Sequence, residues 1–441
     1  MGRKSHSKGL SAWINGERVG VWLIPTRGPS QFIYEQSWID SPSGRPLSLS
    51  LPYTSGGQAL KGERVDHYFD NLLPDSETIR RRIATRMKTA STATFDLLQA
   101  IGRDCVGAVQ LLHEDEVPSN VKTISGTPLT EDEIERLINY TVSDNPGWRD
   151  DEDELRVSLA GAQEKTALLF HDGRWMRPHG ATPTTHILKL PLGLVGQRRA
   201  DFSSSVENEW LCMHLLAAFG LPVAATNLLQ FGEQKVLSVE RFDRRLHSSG
   251  QWIMRLPQED FCQVKGLPSF LKYESDGGPS LADLATILGG SVRAREDLDT
   301  LLKTQILFWM FAAPDGHAKN FSIRLLPEGR YSLAPLYDVM SIWPVEGEGA
   351  NQFAYHKTKM AMSISGKNKH YHFKDILPRH FHQMAAKHFQ RSDATELIDE
   401  IISKTSDAIT QVASQLPKTF PAKVAESIFA GVQKSANQLK L

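Results

Sequence analysis

The stretch Phe311-Ala312-Ala313-Pro314-Asp315-Gly316-His317-Ala318-Lys319-Asn320-Phe321-Ser322 breaks an apolar run with Asp, His, Lys and Asn, then returns to apolar chain. Its Asp315 and Asn320 stand in the spacing D-x-x-x-x-N. In protein kinases that spacing serves phosphoryl transfer: the Asp takes the acceptor hydroxyl's proton and the Asn holds a metal ion. The same residue types also cap turns and helix ends, so the rest of the chain decides between the readings. Downstream, "YSLAPLYDVMS" reads as a strand ending at Asp338, where a second oxygen ligand would be needed. Two carboxylates and an amide favour a hard ion such as Mg2+ over zinc. Lys319 could neutralise charge on the transferring group.

Working upstream, Lys189 lies within the strand-like "HILKLP", as a phosphate-binding lysine would, although a lysine on a solvated strand face is the plainer alternative. Glu209, in the helical "SSSVENEWLCMHLLAAFG", is the natural ion-pair partner of that lysine. Glu207 competes for the role, but Ser204 followed by Glu207 has the form of a capping box, and Gly220 is a natural stop. "VSLAGAQEKTALL" reads as strand, loop and strand, either an ordinary hairpin or a loop that covers phosphates with N–H groups around Gly161 and with Lys165. Covering loop, strand lysine, helix glutamate, D-x-x-x-x-N and a further Asp follow one another in the order a kinase needs. That succession points to phosphoryl transfer.

The bulk properties are those of a soluble, multi-domain globular protein. The 441 residues leave room for two or three domains. Fifty Lys and Arg balance 51 Asp and Glu, so no global field attracts nucleic acid or a membrane. Cys105, Cys212 and Cys262 are scattered, which excludes a disulfide framework and a thiolate zinc site and fits a reducing cytoplasm. "MGRKSHSKGL" has no apolar stretch behind its basic residues, and no window reaches the ~20 apolar residues of a membrane span. A cytoplasmic protein with no membrane partner is expected.

The order of elements suggests an α+β, two-lobed arrangement. Residues 1–113 read as a small mixed domain, with a hairpin around Asn15-Gly16, a helical run "DHYFDNLLPDSETIRRRIATRM" and a strand "GAVQLL". Residues 114–153 are acidic and proline-punctuated, with one amphipathic stretch "TEDEIERLINYTV", and read as a connecting segment. Residues 154–245 hold five strands and one helix, the expected ATP-binding lobe; residues 246–441 read as an all-α lobe carrying the catalytic loop.

One further cluster stands apart. His370 with His372 and His380 with His382 lie in the basic, aromatic "GKNKHYHFKDILPRHFHQMAAKHFQR", without cysteine, which favours a solvated or anion-binding surface over zinc. Its cations form the chain's best local basic patch. Lys387 and Arg391 are the candidate DNA contacts, with a charged helix face as the alternative.

"PLSLSLP", "FDNLLPDS", "FDLLQAIGRDCVGAV", "VSLAGAQEKTALL", "TPTTHILKLP", "VERFDRR", "LPQEDFCQ", "GLPSFLKYESDGGP" and "DGHAKNFS" occur in that order. Together they resemble the signatures of the HipA-like serine/threonine kinase toxins of bacterial toxin–antitoxin modules, over nearly the whole chain. The resemblance implies a two-lobed, distantly kinase-like fold and an ATP- and Mg2+-dependent protein kinase. Asp315 would be the catalytic base, and Asn320 and Asp338 the metal ligands. Lys189 would contact phosphates, and Ala160, Gly161, Ala162, Gln163, Glu164 and Lys165 would form the covering loop. Glu240, Arg241 and Phe242 would hold the adenine at the lobe junction. His317, Ala318, Lys319 and Asn320 would contact the nucleotide.

By the same resemblance, Ser158 would be autophosphorylated to switch the enzyme off, since about two added negative charges would repel bound ATP. The implied acceptor is a serine of glutamyl-tRNA synthetase, which halts translation and causes growth arrest and persistence. The implied partner is a HipB-like helix-turn-helix antitoxin, through which the toxin joins operator DNA at the nucleoid and co-represses its operon. A catalytically weak co-repressor, or a kinase with another protein or small-molecule acceptor, are the alternatives. One departure stands out: Pro314 precedes the catalytic Asp, where such sequences usually have a polar residue. Proline fixes φ and removes an N–H, so it would end the preceding helix or stiffen the loop.

Overall fold

In the computed structural model the described residues are 7–143, 157–196 and 199–440. Asn15 (φ 50°) and Gly16 (φ 87°) both take positive φ, the geometry of the tight turn that joins strands without splaying them. Strands Lys8–Ile14 and Glu17–Ile24 leave that turn as an antiparallel hairpin, extended by Gln31–Tyr34, Leu60–Lys61 and Gln110–His113 into a five-stranded sheet. Helices Glu63–Asp70, Glu77–Met87 and Thr94–Ile101 complete this N-terminal domain. Its core centres on Trp22 stacked on Phe69 at 4.1 Å, with Phe32 and Trp38 buried nearby. Full burial of each such ring contributes about 1.5–3 kcal/mol.

The helical run expected from Asp66 to Met87 is two helices. Pro74 lies between them, where a missing N–H and a restricted preceding residue forbid continuation. The break has a consequence for the site. Asp75 emerges from it and donates its backbone N–H to the Gly161 carbonyl at 3.0 Å.

The next layer is a six-stranded antiparallel sheet in the order Thr226–Phe231, Gln234–Glu240, His186–Lys189, Lys165–His171, Arg174–Pro178, Gly126–Pro128. The last strand, and the helix Glu131–Val142 that follows it, come from the acidic segment read above as a connector. A Thr130–Glu133 capping box starts the helix, and Ile134 and Ile138 pack against Leu168, Leu188 and Val236. The acidic composition belongs to its solvent face and hid the apolar one. The remainder of the acidic run, residues 144–156, lies outside the described residues, as do residues 1–6 with the basic N-terminus.

Helix Ser205–Ala218 forms where expected, but not with the expected cap. Ser204 has ψ 25° rather than the extended backbone a capping side chain requires, and makes no capping bond; Glu207 pairs with Lys235 at 2.5 Å.

The C-terminal lobe is built on helices Ala294–Met310, Thr395–Ala413 and Ala422–Leu439, but it is not all-α. It contains a three-stranded sheet (Gln258–Asp260, Ser322–Leu325, Tyr331–Leu333) and the hairpins Arg244–Leu246/Ile253–Arg255 and Lys359–Ser365/Lys369–His372. Most of these strands run three or four residues, too short for an alternating pattern to register beside the long helices.

The helix Ala294–Met310 is buried on all sides from Leu301 onward and delivers the quoted loop into the interior. It ends before Pro314 acts. Ala312 adopts a left-handed conformation (φ 46°), the Ala313 N–H donates to the Phe308 carbonyl (2.8 Å), and the Ala312 N–H donates to the Trp309 carbonyl (3.1 Å). That is a Schellman termination with alanine in the place that favours glycine, and the proline follows where a helix has already stopped. The freed carbonyls are also satisfied. Ser341 Oγ donates to Phe311 O at 2.5 Å, and the Ile342 N–H to Ala312 O at 3.1 Å, which fastens the loop to the chain just past Asp338. Among the described residues, no helix is long and apolar enough to cross a membrane.

Candidate active site

Lys189 is where the lobes meet. Its buried Nζ lies 2.7 Å from Glu209 Oε1 and 2.7 Å from Asp338 Oδ1. The strand places the lysine opposite Lys165, so both side chains leave the same face of the sheet. Glu209 is brought in by its helix, which Asn208 pins to the segment after Asp338 through paired amide bonds with the Ser341 backbone at 2.7 and 2.8 Å. Asp338 takes positive φ (61°), and Asn320 Nδ2 donates to its carbonyl at 3.1 Å. Sequence residues 189, 209, 320 and 338 therefore converge on one point.

The charges there are strongly shifted. Burial works against the ammonium of Lys189, but Asp338 and Glu209 outweigh it and raise its pKa. Burial would raise Asp338, yet Lys189 and then Lys165 hold it down to about 2. Burial pushes Glu209 up to about 7 against the pull of Lys189. Burial, reinforced by the neighbouring Lys189, lowers Lys165 to about 8; its Nζ donates to the Ala160 carbonyl at 2.6 Å. An ionised Asp338 and the amide oxygen of Asn320 form an all-oxygen donor set of the kind Mg2+ accepts.

Asp315 stands at the mouth of the cleft, its side chain 53% exposed. Tyr273 Oη donates to its Oδ1 at 2.5 Å, while Oδ2 lies 4.0 Å from His317 Nε2. His317 is buried edge-on against Tyr273, with ring centroids 5.0 Å apart, and burial lowers its pKa, which keeps it neutral. A cleft of 510 Å³ opens beside Asp315, lined by Tyr273, Pro314, Lys359, Met360 and Tyr371. A carboxylate with one free oxygen facing a cleft can accept a proton from a hydroxyl placed there.

The segment "VSLAGAQEKTALL" is not a hairpin. Val157–Ser158 pairs in parallel with Asp104–Cys105 of the N-terminal domain, whereas Lys165–His171 joins the large sheet. Ser158 is fully buried, its Oγ donating to the Leu72 carbonyl at 2.7 Å. Gly161 takes φ 104°, a backbone conformation that other residues rarely adopt, so the turn favours glycine. Gln163 Nε2 donates to Leu190 O at 2.6 Å, and Glu164 pairs with Arg82. The loop is folded inward against the N-terminal domain.

Two family models match this chain: the HipA N-terminal domain over residues 10–112 and the HipA-like C-terminal domain over residues 157–412. The chain belongs to the HipA-like family of serine/threonine-protein kinase toxins. The kinase-designated protein Y4mE of Sinorhizobium fredii is 36% identical over 336 residues, covering 75% of this chain and 77% of that protein. The serine/threonine-protein kinase toxin HipA of Shewanella oneidensis is 27% identical over 324 residues, covering 70% of this chain and 69% of that one. The fold matches a solved Shewanella oneidensis complex of HipA, HipB and operator DNA, with a TM-score of 0.77 at 21% identity over 97% of this chain and 96% of that chain.

Not every residue expected at this HipA-like site lies in it. The Arg241 guanidinium is buried between Asp104 (3.3 Å) and Asp243 (2.9 Å) and donates to the Cys105 carbonyl, so it serves a domain junction and has no donor left for adenine. Glu240 is exposed at the end of its strand, and Phe242 packs 5.8 Å from Tyr337 at the lobe junction. Lys319 is buried and engaged with carboxylates and an amide: its Nζ lies 2.8 Å from Asn71 Oδ1 and 3.3 Å from Asp75, both of the N-terminal domain, and 3.6 Å from Asp260.

Lys387 and Arg391, the candidate DNA contacts, both have partners within the chain. Arg391 is held by Asp299 (2.6 Å) and Glu396 (3.0 Å), and Lys387 Nζ donates to the Gly366 carbonyl at 3.0 Å. Arg391 is paired with carboxylates within the chain, whereas Lys387 is exposed and gives a hydrogen bond to a neutral carbonyl. His370 stacks on His380 at 3.7 Å; burial, then His370, lowers His380 to about 4, which favours a neutral His380 ring in this packing contact.

Tyr273, Asp75 and Asp260 carry no local signal of a role in the sequence, although they lie in the family-like stretches "GLPSFLKYESDGGP", "FDNLLPDS" and "LPQEDFCQ". Only the proline break before Asp75 signals that its backbone is free to bond elsewhere.

Proposed function

We propose that this HipA-like kinase transfers the γ-phosphoryl group of ATP to a serine hydroxyl of a protein acceptor, with Asp315 as the base. The ion-paired Lys189, held between Glu209 and Asp338 at 2.7 Å each, carries the reading. It is a cation fixed in a buried cleft, with its partners supplied by the other elements a kinase site needs. Lys189 would bind the phosphates, the loop from Ala160 to Lys165 would cover them, and the junction at Glu240 and Phe242 would hold the adenine. Asn320 and Asp338 would hold Mg2+, which supplies charge neutralisation on the phosphates when bound. The acceptor hydroxyl gives its proton to Asp315 Oδ2, its oxygen bonds to the γ-phosphorus, and the bond to the β–γ bridging oxygen breaks to release ADP.

The acceptor proposed from the resemblance is glutamyl-tRNA synthetase, and the regulatory partner a HipB-like antitoxin on operator DNA. A solved structure of similar fold with that assembly supports the partner. Ser158 is the proposed site of self-inactivation. A phosphate cannot be accommodated where its Oγ now meets the Leu72 carbonyl, so modification would force the loop out of its pairing with Asp104–Cys105 and away from the nucleotide.

Labelled ATP tests the reading directly. Wild type should incorporate phosphate into itself and into added acceptor, and Asp315→Asn should incorporate none while unfolding at the same temperature. An active Asp315→Asn enzyme would sink it. Phosphoproteomics after brief expression would identify the acceptor and show whether Ser158 is modified.

A further inference from the structure

We infer that Asp75, contributed by the N-terminal domain, is a positioning residue of the kinase site, holding the phosphate-covering loop and the catalytic loop in register with each other. The inference rests on the proposed roles of those two loops. Asp75 reaches them by separate groups. Its backbone N–H donates to the Gly161 carbonyl at 3.0 Å, at the apex of the covering loop, next to a bridge between Pro74 and Gly161. Its carboxylate lies 2.8 Å from Lys272 Nζ through one oxygen and 3.3 Å from Lys319 Nζ through the other.

Both lysines lead to Asp315. Lys319 belongs to the catalytic loop itself, one residue before Asn320. Lys272 accepts the Ala318 N–H on its carbonyl at 3.1 Å, and the next residue, Tyr273, donates to Asp315 at 2.5 Å. One carboxylate therefore fixes the catalytic loop at two places while its own backbone holds the covering loop.

Charge makes Asp75 hard to replace. Burial opposes its ionised form, but Lys319 and Lys272 outweigh burial and hold its carboxyl below the usual range. Lys319 has Asp260 as a second carboxylate at 3.6 Å; among the described residues, Lys272 forms an ion pair with Asp75 alone. Buried ion pairs of this kind contribute geometry more dependably than net stability. The N-terminal domain thereby acquires a part in catalysis that its place in the chain, far from the D-x-x-x-x-N loop, gives no hint of.

The test uses the full chain, with single-turnover phosphate incorporation from labelled ATP measured across ATP concentrations. Asp75→Asn should lower the maximal rate by about 10- to 100-fold, the usual cost of losing a supporting contact, and should raise half-saturating ATP. Its unfolding midpoint should fall, because buried Lys319 loses a counter-charge, so rates are compared well below that midpoint. Lys272→Met, at a partly exposed side chain, cuts only the catalytic arm: the rate should fall with half-saturating ATP unchanged. If Asp75→Asn fails to fold, the Lys272→Met result decides alone. Wild-type rates in Lys272→Met, or an Asp75→Asn loss that vanishes on cooling with it, would overturn the inference. Failure of the site reading shows elsewhere, as activity in Asp315→Asn.

Discussion

Tyr273 donates its phenolic hydrogen to Asp315 Oδ1 at 2.5 Å, so one of the carboxylate's two oxygens is taken before any acceptor arrives. The other, Oδ2, is left for a hydroxyl in the 510 Å³ cleft. Tyr273→Phe removes that bond and keeps the ring against His317. A hydrogen bond to a charged group is worth about 1.5–3 kcal/mol, and its loss should lower kcat by about tenfold or more through a rotating carboxylate. KM for ATP should not change, since Tyr273 sits on the acceptor side. Initial rates of phosphate incorporation check it; an unchanged kcat would reduce Tyr273 to a packing residue.

Lys189→Met should abolish transfer and also destabilise the protein. It leaves Glu209 and Asp338 facing each other in a buried site with their shared cation gone, a defect that costs roughly 3–5 kcal/mol. Glu209→Gln removes one of those charges and should recover part of the stability in the Lys189→Met background. Thermal unfolding of the single and double variants measures the coupling.

ATP affinity should depend on pH through Lys165. Its pKa of about 8 means that the ammonium facing the proposed phosphate site is present below that pH and lost above it, so affinity should fall as pH rises through about 8. Bound phosphate favours the charged form, so binding near pH 8.5 should take up protons, visible as buffer-dependent heats in calorimetry. Lys165→Met should flatten the profile. For stability the sign is opposite: between about 8 and the ordinary 10.5 the unfolded chain binds the extra proton, so this residue's contribution to folding grows with pH.

Asp104→Ala should be among the most damaging substitutions outside the active site. Asp104 lies 2.8 Å from Arg244, 3.2 Å from Arg255 and 3.3 Å from Arg241, all buried where the N-terminal domain meets the lobe junction. Its removal leaves three guanidinium groups with Asp243 as the remaining carboxylate of the cluster, at a cost of about 3–5 kcal/mol. Denaturant unfolding should show the loss; a change under 1 kcal/mol would mean water reaches the cluster.

Much of this protein is written locally. Asn15-Gly16 specifies its turn through the positive φ both residues tolerate, and the helix before Pro314 is legible from its apolar run. The order of Lys189, Glu209, Asn320 and Asp338 along the chain was enough to bring them together on paper, because each sits at a position its own strand, helix or loop already defines. Burial then supplied the shifted charges.

Choice of partner across long separations was decided only by the tertiary structure. Lys319 and Arg241 read from sequence as nucleotide ligands; in the fold a carboxylate from the N-terminal domain reaches each first, Asp75 in one case and Asp104 in the other. Ser204 and Glu207 have the spacing of a cap, but the backbone entering the helix lacks the dihedral angles for it. The covering loop could have closed on itself as a hairpin, yet its first strand pairs with Asp104–Cys105. Turn chemistry and periodicity are encoded within a few residues, whereas a buried charge goes to whichever counter-charge the packing of distant segments brings within about 4 Å.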